Sequence, residues 1–213
     1  MIDIIDIHTH NARASRALIS VDPRQFAPEP GKWYSLGYHP WHGAEWLTQD
    51  DFALLEQHAL HPQVLAIGET GMDRLRGAAL DVQASTFVRH LQLAARLGKP
   101  VIVHNVRATQ DILSCRHRAG LDDVVLIIHG MRGNAHVARS LLDGGCYLSY
   151  GPHFNPAALL ATPLDRLLIE TDDASASIGE VASLVATTLH LTPSQVLTAA
   201  GNNAATVLSP IKQ

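Results

Sequence analysis

Short runs of consecutive apolar residues alternate along the chain with longer segments in which apolar residues recur every three or four positions. Runs of the first kind lie at residues 64–67, 100–103 and 124–128, and strands that are apolar throughout are typical of a sheet buried on both faces. The segment 82–97 has the second pattern, which predicts an amphipathic helix. The alternation therefore predicts a parallel sheet that is covered by helices on the outside.

The same patterns predict the order of the elements. Strands are predicted at residues 2–7, 17–21, 33–38, 64–67, 100–103, 124–128, 146–150 and 167–169. Helices are predicted at residues 48–60, 82–97, 108–118, 134–142, 178–191 and 193–200. Because no linker or internal repeat interrupts this order, we expect residues 1–213 to form a single α/β domain, a TIM-like (β/α) barrel.

Polar residues with metal-binding side chains follow the predicted strands. His8 and His10 close the first strand, and the ends of later strands carry His39, Glu69, His104, His129 and Asp172. Alternate side chains of a strand share a face, so His8 and His10 point the same way. Active-site residues at the carboxyl ends of successive strands are characteristic of barrel enzymes. The pattern predicts an active site at this end of the sheet.

The residue types in this set indicate metal chemistry. A single histidine at a strand end is more often a hydrogen-bonded polar residue than a ligand, but several histidines and two carboxylates at strand ends favour one or two divalent cations such as zinc, manganese or magnesium. Glu69 has two oxygens and could bridge a pair of metals. Asp172 could hold a metal and accept the proton of an attacking water molecule.

Composition and charge narrow the class of protein. The chain has 213 residues, of which 46% are hydrophobic and 17% charged, and its net charge of −4 argues against non-specific wrapping of duplex nucleic acid. No apolar run reaches the roughly 20 residues of a membrane span, and no secretory signal is recognised. We therefore expect a cytoplasmic protein that does not bind a membrane and needs no obligate protein partner. Cys115 and Cys146 are expected to act as small apolar residues.

Several motifs together resemble the TatD-like metal-dependent hydrolases, commonly described as deoxyribonucleases. The motifs lie at residues 6–10, 37–40, 67–73, 83–91, 100–104, 129–130, 168–172 and 203–208. The resemblance implies a (β/α) barrel with a two-metal centre. By analogy, one metal would be held by His8, His10 and Asp172, the other by His104 and His129, and Glu69 would bridge the two.

The chain also departs from the family pattern. The family usually has a full helix and a strand between the first two motifs. Here only the short segment 11–33 is available, so the first helix is expected to be missing, and residues 75–79 form an unusually brief loop. Arg107 is displaced by one position relative to the family arginine, and Asp173-Ala174 replaces the expected alanine-proline. The surroundings of the metal centre are therefore expected to differ from the family average.

Residues near the predicted strand ends are candidates for substrate binding. His39 could orient the substrate or a water molecule, and Arg74, Arg107 and Arg132 could contact phosphates through charge and bidentate hydrogen bonds, although a lone arginine is more often a solvated loop residue. Three aromatic residues near strand ends could stack on a base or could simply pack in the fold: Trp41, Tyr150 and Phe154.

These features favour a phosphodiesterase, a deoxyribonuclease that acts on single-stranded DNA or nucleic-acid ends by two-metal activation of water, with Asp172 and Glu69 as catalytic carboxylates. A small-molecule hydrolase of the amidohydrolase type could use the same centre, because one barrel hosts many chemistries. A carboxylated lysine as the bridge would favour that alternative, whereas Glu69 argues mildly against it. A metal-binding protein without activity is the third hypothesis.

Overall fold

The structure is a computed structural model that describes residues 3–41 and 46–209. Eight strands follow one another in chain order around a closed parallel barrel. They are β1 (Asp6–Thr9), β2 (Ala17–Val21), β3 (Trp33–Leu36), β4 (Val64–Asp73), β5 (Val101–Val106), β6 (Leu126–Ile128), β7 (Tyr147–Tyr150) and β8 (Leu167–Ile169). The predicted TIM-like barrel is confirmed.

Helices follow most of the strands. They are α1 (Gln49–Ala59), α2 (Leu80–Leu97), α3 (Thr109–Arg118), α4 (Ala135–Asp143), α5 (Pro156–Leu160), α6 (Ile178–Leu189) and α7 (Pro193–Val207). Residues 10–16, between β1 and β2, contain turns and no helix, as the short segment predicted. None of the described helices has the length and apolar character needed to cross a membrane.

The chain divides into two compact units. The first contains the described residues of 1–19 together with 127–209, and the second contains the described residues of 20–126. The single-domain assignment of residues 1–213 remains a prediction.

The first unit is built on β1, β6, β7 and β8. β1 pairs in parallel with β2 at Asp6 and Ala17 and with β8 at Asp6 and Ile169, and β7 pairs with both β6 and β8. Helices α6 and α7 pack on each other and on β8. Val181 on α6 and Ala200 on α7 are fully buried, so these helices cover the apolar strands as predicted.

The second unit is built on β3, β4 and β5, which pair in parallel in this order. Helix α2 packs on β4 and buries Phe87 and Leu91, which lie on one stripe of the helix. Gly98 ends α2 in the left-handed conformation, with φ of +62°, as expected for a glycine just after a helix.

β4 is longer than predicted, because it continues through residues 68–73 instead of ending at Ile67. The glycines at 68 and 71 made these residues resemble a loop, but Gly71 pairs with His104 and the next residues remain paired with β5. A Cβ atom on Gly71 would lie 2.1 Å from the carbonyl oxygen of His104, so the glycine allows close approach of the two strands. Glu69 therefore lies inside a strand.

Other boundaries differ at the ends of elements. β1 begins at Asp6 instead of residue 2, which lies outside the described residues, and it includes His8. Helix α7 continues past residue 200 to Val207, where the amide of Asn203 donates hydrogen bonds of 2.8 Å to the carbonyls of Leu164 and Leu167. The short helix α5 was not predicted, although Asn155 caps it and Pro156 opens it.

His90 is a fully buried histidine whose two ring nitrogens have fixed roles. Its Nδ1 lies 2.8 Å from the carbonyl of Thr86, which can only accept, and its Nε2 accepts a 3.0 Å hydrogen bond from the backbone N–H of Tyr38. The ring is therefore neutral. Burial lowers the pKa of His90 to about 4, although the hydrogen bond to Thr86 opposes this shift.

We expect His90 to make the free energy of unfolding depend on pH. Its folded pKa of about 4 lies below the ordinary value of 6.5, so its contribution is present above pH 6.5 and is lost as the pH falls through 4. At about 1.4 kcal/mol per pH unit, this amounts to about 3 kcal/mol. The free energy of unfolding, measured by urea denaturation at several pH values across this range, should depend less steeply on pH in His90→Gln. The difference in slope should correspond to the uptake of one proton fewer on unfolding.

The matched control is His136→Gln, because His136 is exposed and should leave the slope unchanged. An equal slope in the wild-type protein and His90→Gln would show that His90 is not held neutral.

Candidate metal centre

Three predicted ligands of the first unit lie together. His8, His10 and Asp172 each offer a ligand atom, and these atoms lie within 4.8 Å of one another. The Nε2 atoms of His8 and His10 are 3.5 and 3.6 Å from Oδ1 of Asp172. His8 is buried, whereas His10 and Asp172 are partly exposed. We call this group the His8 cluster.

The backbone holds Asp172 in place. Asp172 has a φ of +53°, which is uncommon for a residue other than glycine. Its N–H donates a 2.9 Å hydrogen bond to the carbonyl of His8, and its own carbonyl accepts a 3.1 Å hydrogen bond from the N–H of His10. The hydroxyl of Thr9 donates to the same carbonyl at 3.2 Å. These bonds stabilise the unusual conformation and direct the carboxylate toward the two imidazoles.

His129 lies beside the His8 cluster. Its ring centroid is 4.3 Å from that of His8, and its Nδ1 is 3.5 Å from Oε1 of Glu170. The same Glu170 oxygen accepts a 2.6 Å hydrogen bond from the N–H of Gly130. His129, Glu170 and Asp172 also have ligand atoms within 4.8 Å of one another. Glu170 is therefore a further potential metal-binding residue, which was not among the predicted ligands.

Asp6 fixes the segment between Glu170 and Asp172. Its carboxylate accepts hydrogen bonds from the N–H of Thr171 at 3.0 Å and from the Thr171 hydroxyl at 2.6 Å. Burial raises the pKa of Asp6 to about 6, and the nearby charge of Glu170 acts in the same direction. The hydrogen bonds from Thr171 oppose this shift. The first and last strands of the barrel are thus joined directly behind the His8 cluster.

A second group of donors lies in the second unit. His39, Glu69 and His104 have ligand atoms within 4.8 Å of one another, and we call this group the Glu69 cluster. The Nε2 of His39 and the Nδ1 of His104 are each 3.0 Å from Oε1 of Glu69. Only 4% of the Glu69 side chain is exposed. His39 was predicted to bind substrate, but the structure brings its imidazole directly to the Glu69 carboxylate.

Asp73 supports the Glu69 cluster. Its Oδ2 is 3.2 Å from Nε2 of His104 and accepts a 2.6 Å hydrogen bond from the indole of Trp41. Burial alone would raise the pKa of Asp73, but hydrogen bonds from the backbone of Leu75 and from the Trp41 and His104 side chains hold it below its usual value. Asp73 was not chosen from the sequence. Its spacing from Glu69 places both on one face of a continuing strand.

Both clusters have the chemistry of a divalent metal site. Imidazole nitrogens and carboxylate oxygens are the ligands that zinc and manganese accept. Glu69 and His8 are buried, and a buried carboxylate is stable only beside cationic or hydrogen-bonding partners. The converging nitrogen and oxygen atoms therefore fit a metal ion.

The three arginines predicted to bind substrate have different surroundings. The guanidinium of Arg74 forms two hydrogen bonds of 2.9 Å with the carboxylate of Asp111, so it is already paired. Arg107 follows β5 with a φ of +54°. Arg132 lines an open groove of about 810 Å³, together with Phe154 and residues of α6. Among the described contacts, those of the Arg74 side chain are with Asp111 and not with residues of either cluster.

Residues 22–209 of the chain match the family described as TatD related DNase. The chain belongs to this family. The match begins after His8 and His10, so the hypothesis that these two histidines bind metal rests on the motif at residues 6–10 and on their geometry. This match confirms the resemblance to TatD-like proteins that the sequence motifs indicated.

Individual TatD-like proteins are similar to parts or to all of the chain. A Mycobacterium tuberculosis protein named TatD, an uncharacterized metal-dependent hydrolase, is 38% identical over 151 residues, which cover 65% of this chain and 56% of that protein. The human 3′-5′ RNA nuclease TATDN2 is 30% identical over 151 residues, which cover 66% of this chain and 20% of that protein. The chain thus spans a little over half the length of the first of these relatives.

A solved structure shows a similar fold over nearly the whole chain. The TatD homologue YjjV from Escherichia coli K12 has a TM-score of 0.82 with 21% sequence identity, and the match covers 97% of this chain and 98% of that one. This likeness concerns the barrel fold.

Proposed function

We propose that this TatD-like chain is a metal-dependent phosphodiesterase that acts on single-stranded DNA or on nucleic-acid ends. The observation that carries the proposal is the pair of carboxylates, Asp172 and Glu69, each of which has two imidazoles within 3.6 Å of one oxygen. Support also comes from membership of the TatD related DNase family and from the similarity to the human 3′-5′ RNA nuclease.

We propose two divalent ions, zinc, manganese or magnesium, as the cofactors. His8, His10 and Asp172 would hold one ion, His104 and His129 would hold the other, and Glu69 would bridge them, as the family resemblance implies. When bound, such ions lower the pKa of a water molecule and stabilise the negative charge that develops on the departing oxygen. The contact between His39 and Glu69 makes His39 a further potential ligand.

The proton of the attacking water would be accepted by Asp172. About a fifth of the Asp172 side chain, 22%, is exposed, so solvent reaches it, whereas its main chain is held by three hydrogen bonds. A carboxylate that is fixed in direction and open to water meets the geometric requirement for a general base. Glu69 is too buried for this role and would act between its two imidazoles as a metal-binding carboxylate.

His39 would orient the substrate or a water molecule at the site, because its hydrogen bonds fix the tautomer of its ring. Its Nδ1 accepts a 3.1 Å hydrogen bond from the backbone N–H of Trp41, so in the neutral ring the proton is on Nε2, which donates to Glu69. Arg107 and Arg132 remain proposed phosphate contacts, since both follow strands that deliver candidate ligands. Arg74 would first have to leave Asp111.

The substrate is proposed to be short or single-stranded because the protein carries a net charge of −4 and would attract a long duplex weakly. We propose the cytoplasm as its location, where the thiols of Cys115 and Cys146 would remain reduced.

The experiment is a comparison of substrates with the purified, metal-loaded protein. Single-stranded DNA and RNA oligonucleotides labelled at the 5′ or 3′ end would be tested beside a lactone and an amide. Release of nucleotides that is faster than hydrolysis of the small molecules is expected, and the label would give the polarity. Hydrolysis of the lactone or amide alone would replace the proposal by a small-molecule hydrolase.

A further inference from the structure

We propose that Trp41 and Arg76 form a binding platform for a nucleobase beside the Glu69 cluster. This inference rests on the proposed function, because it names the part of the substrate that the platform would hold. The ligand class is the planar base of a nucleotide at the end of a strand. We call the pair the Trp41 platform.

The indole of Trp41 is fixed relative to the candidate metal ligands. Its Nε1–H donates a 2.6 Å hydrogen bond to Asp73 Oδ2, and the same oxygen lies 3.2 Å from Nε2 of His104. The ring centroid is 5.2 Å from that of His104 and 4.7 Å from that of His39. The polar edge of the indole therefore points toward the site and is held there by a buried carboxylate.

Arg76 places a positive charge over the same indole. Its guanidinium carbon is 4.8 Å from the ring centroid of Trp41, a distance at which a cation interacts favourably with an aromatic face. The loop that carries Arg76 is fixed by Asp73, whose Oδ1 accepts hydrogen bonds from the N–H groups of Leu75 and Arg76, and by Gln83, which donates to the Arg76 carbonyl at 3.0 Å.

The two parts of the platform lie against each other because of a glycine. Gly77 has a φ of +87°, and a Cβ atom there would be 2.3 Å from the carbonyl oxygen of Pro40. A side chain at this position would push the Arg76 loop away from the segment that carries Trp41. The close approach of Gly77 to Pro40 thus keeps the Arg76 guanidinium next to the Trp41 indole.

Exposure points to a ligand instead of simple packing. Although its indole nitrogen is bonded inward, Trp41 is 39% exposed, so ring surface is open to solvent next to His39 and His104. Every base has a π face, and stacking on an aromatic side chain tolerates all four bases. The adjacent Arg76 supplies a charge of the sign that a nucleotide phosphate requires. These properties together match a nucleotide end.

The test is equilibrium binding of dAMP, followed by tryptophan fluorescence of the metal-loaded protein. We expect dAMP to quench the fluorescence of the wild-type protein and of the control Trp46→Phe, because Trp46 is 77% exposed and lies outside the platform. Quenching should be lost in Trp41→Leu. The affinity for dAMP, measured by calorimetry, should fall by roughly 5- to 100-fold in Trp41→Leu. Deoxyribose 5-phosphate, which has no base, should bind equally to both proteins.

Two further variants guard against a merely structural effect. Trp41→Phe keeps an aromatic face and should retain more dAMP affinity than Trp41→Leu, and Arg76→Gln changes an exposed side chain and should weaken dAMP binding without lowering the thermal midpoint. Equal dAMP affinity in the wild-type protein and Trp41→Leu, or parallel losses for dAMP and deoxyribose 5-phosphate, would overturn the platform.

The platform and the proposed function fail in different ways. Nucleotide release by the wild-type protein with no effect of Trp41→Leu on dAMP binding would overturn the platform alone. Trp41-dependent binding of dAMP by a protein that cleaves no nucleic acid under any metal would overturn the phosphodiesterase proposal and leave the platform standing.

Discussion

Replacement of Asp172 by asparagine is expected to lower the rate of hydrolysis by about 10²- to 10⁴-fold, the range for loss of a general base. Asparagine has the same shape, and the three hydrogen bonds described for the backbone N–H and carbonyl of residue 172 do not need the carboxylate. The fold should therefore persist while the proton acceptor is lost. The measurement is kcat on a labelled single-stranded oligonucleotide, together with the thermal midpoint of the variant.

Asp173→Asn is the matched control, because it removes the neighbouring carboxylate, which is exposed. It should retain a rate close to that of the wild-type protein. Full activity of Asp172→Asn at normal metal content would remove Asp172 from the catalytic machinery.

Replacement of Glu69 by glutamine is expected to weaken metal binding and to abolish most of the hydrolysis. Glu69 is 4% exposed and lies within 3.0 Å of two imidazoles, so the neutral amide removes the carboxylate charge that lies between them. Loss of even an outer partner of a metal site costs roughly 10- to 100-fold in affinity, and we expect at least this loss. Metal content after dialysis, measured by mass spectrometry, and kcat together give the result.

Glu56→Gln is the control for Glu69, since Glu56 is half exposed and pairs with Arg96 on the surface. Its metal content and rate should equal those of the wild-type protein. If Glu69→Gln bound the same number of ions with the same affinity, Glu69 would not be a ligand.

The barrel was predictable because apolar strands and amphipathic helices leave different periodicities in a sequence. The residues 64–67, 101–103 and 126–128 are buried throughout or nearly so, and this is the pattern that a parallel sheet requires. Capping follows local sequence as well, since Thr192 and Gln195 have the spacing of a capping box and form one at the start of α7. Local chemistry specified these features without help from distant contacts.

The extension of β4 was not predictable from local preference. Gly68 and Gly71 are poor strand formers, but they allow the backbone of β5 to approach to a distance that a Cβ atom would prevent. Because the strand was expected to end at Ile67, the alternation that places Glu69, Gly71 and Asp73 on one face was missed. Asp73 and its bond to Trp41 were missed for the same reason.

The grouping of the candidate ligands depended on long-range pairing. His8 and His10 follow from alternation along one strand. The approach of Asp172, however, depends on backbone hydrogen bonds across 162 or more positions of the chain, such as that from the N–H of His10 to the carbonyl of Asp172. A sequence motif shows that Glu170 and Asp172 occur together. It does not show that Glu170 contacts His129 or that Arg74 is already paired with Asp111.

We propose metal-dependent cleavage of phosphodiester bonds at these ligands. Its most direct test is to strip the protein of metal, titrate it with magnesium, manganese and zinc in turn, and follow nucleotide release from 3′-labelled single-stranded DNA, with His8→Ala in parallel. We predict no release from the stripped protein, release that reaches a plateau near two equivalents of a suitable metal, and none from His8→Ala. Release that persists in chelator, or no release from folded, metal-loaded protein, would contradict the account.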